Sequence, residues 1–242
     1  ELTVGDAQES DAFVKKGGYV GITREMIKNS DIMRIQMVPR ALATAAVRTR
    51  SAGVSALFTV NAGVGPTLDQ DSKALFHVDH TNLGTTAFAA AEWGVVRTAV
   101  FKHAELTSGK YLGVFPRYAL LPADLYDAAL AAFGYGDGYP TSYQPYTQDR
   151  GFEDPRPVPL VVPDWTDANN WAAIVDPMVF PVVMMTYSQL PGGGSHPAPE
   201  LYSVVSEEQG LMFTNGILPI KVRDEFAVGV NGPRGVYKEN VA

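Results

Sequence analysis

The sequence contains no cysteine, which excludes disulfide bonds, thiolate metal sites and a cysteine nucleophile. It also lacks an excess of basic residues, since 19 Lys and Arg stand against 26 Asp and Glu, a formal net charge of −7. Proteins that bind DNA tightly without sequence preference usually show the opposite balance, because neutralising phosphates supplies their affinity. If this chain encloses nucleic acid, we therefore expect it to do so without binding it strongly.

Long apolar runs and targeting patterns are missing as well. No run approaches the roughly 20 residues that a transmembrane helix needs, and no segment has the order of regions typical of a signal peptide. The first residue is Glu1 rather than Met. That start fits either a trimmed N-terminus or proteolytic maturation, and the sequence leaves both open.

The composition that is present suits a folded core. Of the 242 residues, 46% are hydrophobic and only 19% are charged, which is typical of a globular chain rather than a disordered one. The length allows one large domain or two small ones. Along the chain, an N-terminal arm is followed by one long helix, a mixed block and closing strands, and this order predicts an α+β fold.

The most regular pattern predicts a long helix. Asn29-Ser30-Asp31 offer N-cap oxygens to a first helical segment, and Pro39 stands where a second helix would begin. From Arg40 to Val60 the apolar positions keep one broad face, and Asn61-Ala62-Gly63 are typical of a helix end. Four basic residues distinguish this stretch from the rest of the chain: Arg34, Arg40, Arg48 and Arg50.

Shorter patterns predict the remaining elements. Thr85-Thr86 are expected to cap another helix, which ends near Ser108 and includes Val95 on its core face. Pro122 is typical of the start of a third helix. We expect a break at Gly17-Gly18 and a long loop over 134–159. The clearest predicted strands are Tyr118 to Leu121, Trp171 to Val175, Leu201 to Val205, Leu211 to Phe213, Ile217 to Arg223 and Phe226 to Val230.

One short string suggests metal chemistry. His77, Asp79 and His80 place three ligand-type side chains within four residues, as a metal-dependent hydrolase could use. A zinc site needs a further ligand and a rigid frame, and neither His103 nor His196 lies at a recognisable ligand spacing. The alternative is a loop whose Asp and His side chains form hydrogen bonds with nearby backbone. We favour the loop, and we predict no cofactor, no metal and no catalytic centre.

The loop over 134–159 is rich in tyrosine. Tyrosine suits interfaces, because its ring buries a large area while its hydroxyl keeps a hydrogen bond. A loop packed on its own domain is an equal alternative. The tyrosines that we select as interface candidates are Tyr139, Tyr143 and Tyr146.

Six strings share their order with a known family. They are Ile22 to Glu25, Val38 to Leu42, Leu75 to Gly84, Pro116 to Pro122, Lys221 to Asp224 and Arg234 to Lys238. Together they span most of the chain, and in this order they resemble the Mu-like phage major head (major capsid) protein family.

That resemblance implies the Hong Kong 97 capsid fold. It implies a peripheral (P) domain over 19–84 and 200–242, with a spine helix at about 39–60, and an axial (A) domain over 85–199. Residues 1–18 would supply the returning strand of an extended hairpin, the E-loop. The outgoing strand and the N-terminal arm of the family have no counterpart in this sequence.

The resemblance also implies a function. It predicts a major capsid protein that self-assembles into the icosahedral head of a tailed bacteriophage and is therefore located in the virion. Partners would be further copies of the chain, in pentamers and, as an open alternative, hexamers, with double-stranded DNA enclosed without sequence-specific binding. Portal and decoration proteins are candidate partners, and no membrane partner is expected. The alternatives are an encapsulin-like shell with protein cargo and the metal-dependent hydrolase.

Contacts between subunits are the only functional sites that the family resemblance predicts. Arginine is enriched at interfaces, and we expect the basic residues of the long helix to face acids of neighbouring subunits rather than DNA, given the negative net charge. The candidate interface residues are Arg24, Arg34, Arg40, Arg48, Arg50, Tyr139, Tyr143 and Tyr146.

Overall fold

The computed structural model describes residues 9, 11–29, 32–105, 108–134, 157–188, 199–203, 208 and 210–241. The chain divides into two compact units. Unit 1 comprises Glu1–Ser10, Ser55–Met184 and Gly229–Ala242, and unit 2 comprises Asp11–Val54 and Met185–Val228. No helix in the described part of the chain is long and apolar enough to cross a membrane.

Helices and strands mix along the chain, which confirms the predicted α+β class. In chain order the elements are β1 (Val14–Thr23), α1 (Arg24–Lys28), α2 (Ile32–Thr59), β2 (Leu83–Gly84), α3 (Ala90–Phe101), β3 (Pro116–Leu121), α4 (Tyr126–Ala132), β4 (Val158–Val161), β5 (Trp171–Val175), β6 (Val183–Tyr187), β7 (Glu200–Ser203), α5 (Gly210–Asn215), β8 (Ile217–Val230) and β9 (Val236–Glu239).

Unit 1 is built on a five-stranded sheet in the order β2-β9-β5-β3-β4. The inner strand β5 is antiparallel to both of its neighbours, β9 and β3, while β2 and β4 add at the two edges in parallel. The strand nearest the C-terminus thus lies inside the sheet. Closing this sheet therefore requires pairing between segments that are far apart in sequence.

Helices α3 and α4 contribute to one hydrophobic core with β3 and β5. Trp93 of α3 lies 5.0 Å from Phe133 and 6.1 Å from Trp171, measured between ring centroids. Val96 and Val100 are fully buried in the same cluster. Burial of apolar surface in this cluster stabilises unit 1 by roughly 25 cal/mol per Å².

The predicted start and core face of α3 are wrong. The helix begins at Ala90, and Val95 is 58% exposed while Val96 is fully buried. Thr86 does not cap the helix, because Ala89 holds the N-cap position. The backbone of Thr86 is bound to distant residues instead: its N–H donates to the Glu239 carboxylate at 2.7 Å, and its carbonyl accepts from Trp171 Nε1 at 3.1 Å. Tertiary partners thus replaced the expected local cap.

Unit 2 combines the first part of α2 with a four-stranded sheet. Strand β1 pairs antiparallel with β8 over ten residues, from Val14 opposite Phe226 to Thr23 opposite Ile217, and β6 and β7 also pair with β8. A Cβ added at Gly53 of α2 would lie 3.3 Å from the Phe226 ring, which shows how closely this helix approaches β8.

Two expected breaks do not occur in unit 2. Helix α2 runs from Ile32 to Thr59 with Pro39 inside it, so it starts before the predicted spine helix. Proline in a helix removes one hydrogen bond and costs about 3 kcal/mol, which the other turns of this long helix offset. Gly17 and Gly18 lie within β1 rather than interrupting it, because β8 supplies the ladder across them.

The closing segments also differ from prediction. Leu211 to Phe213 belong to the short helix α5 rather than to a strand. An apolar run of three residues has no period that separates helix from strand. The two strands predicted over 217–230 form one continuous strand, β8, because β1 pairs with it from Ile217 to Phe226, across Asp224.

Two neighbouring valines of α3 provide a matched test of the core. We expect Val96→Ala to lower the free energy of unfolding by about 2 kcal/mol, because it leaves a cavity beside Trp93. Val95→Ala should change it by less than about 0.5 kcal/mol, because Val95 is mostly exposed. Chemical denaturation of dissociated subunits measures both, and equal losses would contradict the assigned helix face.

Candidate subunit interface and buried anchors

Arg50, one of the predicted interface residues, is bound within unit 2. Its Nε donates to Asp224 Oδ2 at 2.6 Å and its Nη2 to Oδ1 at 2.7 Å, so the pair is bidentate. Its guanidinium also lies 4.7 Å from the Tyr187 ring centroid. Only 12% of the Arg50 side chain and 6% of the Asp224 side chain are exposed. The contact fixes the rotation of α2 on β8, and an interface role for Arg50 stays a prediction.

The other candidates divide into exposed residues and residues outside the described part. Arg24, at the start of α1, and Arg40 and Arg48, on α2, are exposed. Within the described residues, no carboxylate forms an ion pair with Arg40 or Arg48. The side chain of Arg34 and all of Tyr139, Tyr143 and Tyr146 lie outside the described residues. Their interface roles stay predictions.

The suspected metal string forms a hydrogen-bonded loop. Asp79 pairs with Lys73 at 2.6 Å, and this contact holds the pKa of the Asp79 carboxyl below its ordinary value. His80 Nε2 lies 2.6 Å from an oxygen of Asp71, and His77 Nδ1 accepts from the N–H of Asp79 at 3.2 Å. Among the described residues, no three His, Asp or Glu side chains form a group that could hold a metal ion.

The residue that anchors this loop is Asn82, which sequence reasoning missed. It is fully buried, and its Nδ2 donates to the carbonyls of Leu75 at 2.8 Å and Pro233 at 3.0 Å. Its Oδ1 accepts from the N–H of His77 at 3.0 Å. Asn82 therefore ties the loop to the segment before β9. The only sequence feature that could have indicated a role for Asn82 was its position within the string Leu75 to Gly84.

His103 makes a second link to the same segment. Its side chain is buried, its Nδ1 accepts from the N–H of Gly235 at 3.1 Å, and its Nε2 lies 3.4 Å from the carbonyl of Thr81. Burial lowers the pKa of His103, in agreement with a neutral ring that accepts at Nδ1. Gly235 has a φ of 75°, and a Cβ there would lie 2.8 Å from the Phe180 ring, so the close approach requires glycine.

Lys238 of β9 is the most buried Lys or Arg among the described residues of unit 1. It is 2% exposed, and its Nζ donates to the carbonyls of Phe58 at 2.7 Å and Gly63 at 2.6 Å. Phe58 is in the last turn of α2, where carbonyls lack an intrahelical donor and a positive charge is favourable. Lys238 therefore caps the helix from a distant strand. Burial lowers its pKa to about 8.

The next residue, Glu239, points its buried carboxylate at the segment that precedes α3. It is 1% exposed and accepts from the N–H of Thr86. Burial raises the pKa of Glu239, because its surroundings disfavour the charged form. The two charged side chains of β9 thus satisfy backbone groups of two separate segments. A buried cluster with this bonding pattern serves to position backbone.

The sequence of the chain matches a known protein family over most of its length. A family model described as phage capsid protein matches residues 8–238. The chain belongs to the phage capsid protein family. This membership confirms the predicted family, the predicted role as a capsid protein and the predicted location in the virion. A comparison with curated proteins finds no match.

Solved structures agree with the capsid fold. The chain is similar to a structure from Mycobacterium phage Patience, at 10% identity and a TM-score of 0.56, covering 100% of this chain and 76% of that one. The acid-stable capsid of Helicobacter pylori bacteriophage KHP30 matches at 11% identity and 0.55, covering 96% and 75%. The capsid asymmetric unit of cyanophage Pam1 matches at 11% and 0.52, covering 95% and 75%. These likenesses confirm the predicted Hong Kong 97-type α+β fold.

The Arg50 pair can be tested against an exposed arginine of the same helix. We expect Arg50→Ala to destabilise the capsid protein by about 3–5 kcal/mol, because it leaves the Asp224 carboxylate buried and unpaired. Arg48→Ala should stay within about 0.5 kcal/mol of the unaltered protein. Denaturant titration of dissociated subunits measures both. A small loss for Arg50→Ala would show that the pair does not hold α2.

The depressed pKa of Lys238 predicts a pH dependence of stability. The folded pKa of about 8 lies below the ordinary value of 10.5, so between these values the unfolded chain binds more protons than the folded one. Stability should therefore rise with pH across this range. The neutral amine still has two N–H groups for its two carbonyl partners, so the bonds survive.

The comparison with Lys238→Met isolates this effect. We expect the difference in unfolding free energy between the unaltered protein and Lys238→Met to increase from pH 7 to pH 10. The control is Lys73→Met, because contact with Asp79 raises the pKa of Lys73. The difference in unfolding free energy between the unaltered protein and Lys73→Met should stay constant or decrease over the same pH range. A difference that stays constant for Lys238 would contradict the buried, depressed amine.

Proposed function

We propose that this capsid protein self-assembles into the icosahedral head of a tailed bacteriophage and encloses double-stranded DNA. The family match over residues 8–238 is the observation that carries the proposal, and the capsid fold over the whole chain supports it. Its partners are further copies of itself, in pentamers and, in larger shells, hexamers. Closed symmetry lets each subunit bury modest patches against several neighbours. Portal and decoration proteins remain candidate partners.

We assign the peripheral domain to 19–84 and 200–242 and the axial domain to 85–199. The length of α2 supports its role as the spine helix. Strand β1 crosses the boundary proposed at residue 18. The hairpin strand of the E-loop therefore continues into the peripheral domain without a break.

The proposed role needs no catalytic centre and no tight DNA binding. The side chains of His77, Asp79 and His80 are used in holding their own loop, which supports a structural role for the string. The net charge of −7 favours enclosure of DNA without tight binding, because tight binding to phosphates requires an excess of Lys and Arg.

Particle formation and cargo test this proposal together. Electron microscopy of the purified protein should show regular shells, and particles from infected cells should hold nuclease-protected DNA. A stable monomer at high concentration would contradict the capsid role. Particles that contain a packaged enzyme instead of DNA would favour the encapsulin-like alternative, and a stoichiometric metal in elemental analysis would favour the hydrolase.

A further inference from the structure

The link between β8 and β9 contains an asparagine followed by a glycine, a pair in which the asparagine side chain is chemically labile. The sequence has this pair twice, at Asn215-Gly216 and at Asn231-Gly232. Glycine has no Cβ, so its backbone nitrogen can approach the preceding side-chain amide closely. The structure distinguishes the two pairs, because their backbones are held differently.

Hydrogen bonds hold the backbone of the first pair on both sides of its glycine. Asn215 is the last residue of α5, and the N–H of Gly216 donates to the carbonyl of Met212 at 3.1 Å. The carbonyl of Gly216 accepts from the N–H of Arg24, also at 3.1 Å. Both bonds oppose rotation of the backbone at Gly216. We therefore expect Asn215 to keep its side-chain amide in the folded protein.

The second pair is bound through its asparagine rather than through its glycine. Asn231 is exposed, its N–H donates to the carbonyl of Val182 at 2.8 Å, and its Nδ2 donates to the carbonyl of Pro181 at 3.4 Å. Gly232 is buried, and among the described residues no acceptor binds its N–H. Most buried N–H groups have such an acceptor. A reaction that consumes the N–H of Gly232 therefore breaks no hydrogen bond with another described residue.

The turn into β9 requires glycine at position 232. The φ of Gly232 is 136°, a value that residues with a Cβ rarely adopt. A Cβ placed there would meet no atom within 4 Å, so the requirement comes from the backbone conformation and not from crowding. The fold itself thus fixes the residue that makes Asn231 labile.

We propose that Asn231 is a site of spontaneous covalent modification, at which its side-chain amide is lost as ammonia. The backbone nitrogen of Gly232 forms a bond to Cγ of Asn231, and the bond between Cγ and Nδ2 breaks. The proton of the Gly232 N–H leaves with Nδ2 as part of the ammonia. Water then opens the resulting succinimide ring at one of its two carbonyl carbons, which gives aspartate or isoaspartate.

The modification would alter the segment to which the buried anchors bind. Isoaspartate adds one methylene group to the main chain, and the hydrogen bond of Asn231 Nδ2 is lost. Pro233, whose carbonyl binds Asn82, follows two residues later, and Gly235, whose N–H binds His103, two residues after that. We therefore expect isoaspartate at this position to weaken both links, so that the capsid protein loses stability as it ages.

Incubation of the purified protein at mildly alkaline pH tests the proposal, because base removes the proton of the attacking N–H. Peptide mass mapping should show a gain of about 1 Da, the change from an amide to a carboxyl group, in the peptide that contains Asn231. The rate at Asn215 should be at least about fivefold lower, because the hydrogen bond of Gly216 must break first. In denatured protein the two rates should be similar, which makes the denatured chain the control.

Replacement by glutamine tests the consequence, because glutamine would have to form a larger and less favourable ring. Asn231→Gln should keep its denaturation midpoint through the incubation, while the unaltered protein and Asn215→Gln should both lose stability. Equal rates at Asn215 and Asn231 in the folded protein would overturn the proposal, as would an Asn231 that reacts only after denaturation. An equal loss of stability in all three proteins would overturn the destabilising role of the modification.

Discussion

The fold of unit 1 depends on one buried ammonium group. Lys238 reaches from the interior of the sheet to the carbonyls that end α2, and 180 residues separate it from its partner Phe58. Each of these groups would be costly to bury alone, because neither water nor a local partner would satisfy it. Their pairing allows the helix end and β9 to be packed in the same core.

The neighbouring anchors follow the same physical rule. Asn82, His103 and Glu239 are buried polar side chains whose partners are backbone groups of distant segments. Satisfied polar networks specify one arrangement, because any alternative leaves a group without its bond. A shell subunit needs such uniqueness more than it needs reactivity, since a small change in each copy is repeated throughout a symmetric assembly.

Much of the local structure could be predicted from the sequence. Trp171 to Val175 form the strand that their apolar pattern predicts. A helix follows Pro122, as predicted, and α2 ends before Asn61, where turn residues begin. The start of α3 and the form of Leu211 to Phe213 could not be predicted. In the first case, side chains of β5 and β9 form hydrogen bonds with the backbone of Thr86. In the second case, the apolar run is too short to show a helical or strand period.

The sequence by itself determined the class of elements, the long arginine-rich helix and the family, because spacing and ordered strings are properties of neighbouring residues. Only the tertiary structure decided which polar residues matter. Asn82 and Lys238, rather than His77 and His80, bind backbone of distant segments, and Arg50 is largely buried while Arg40 and Arg48 are exposed. The physical reason is distance along the chain: Arg50 and Asp224 are 174 residues apart, and no local pattern encodes which charge will meet which partner once both are withdrawn from water.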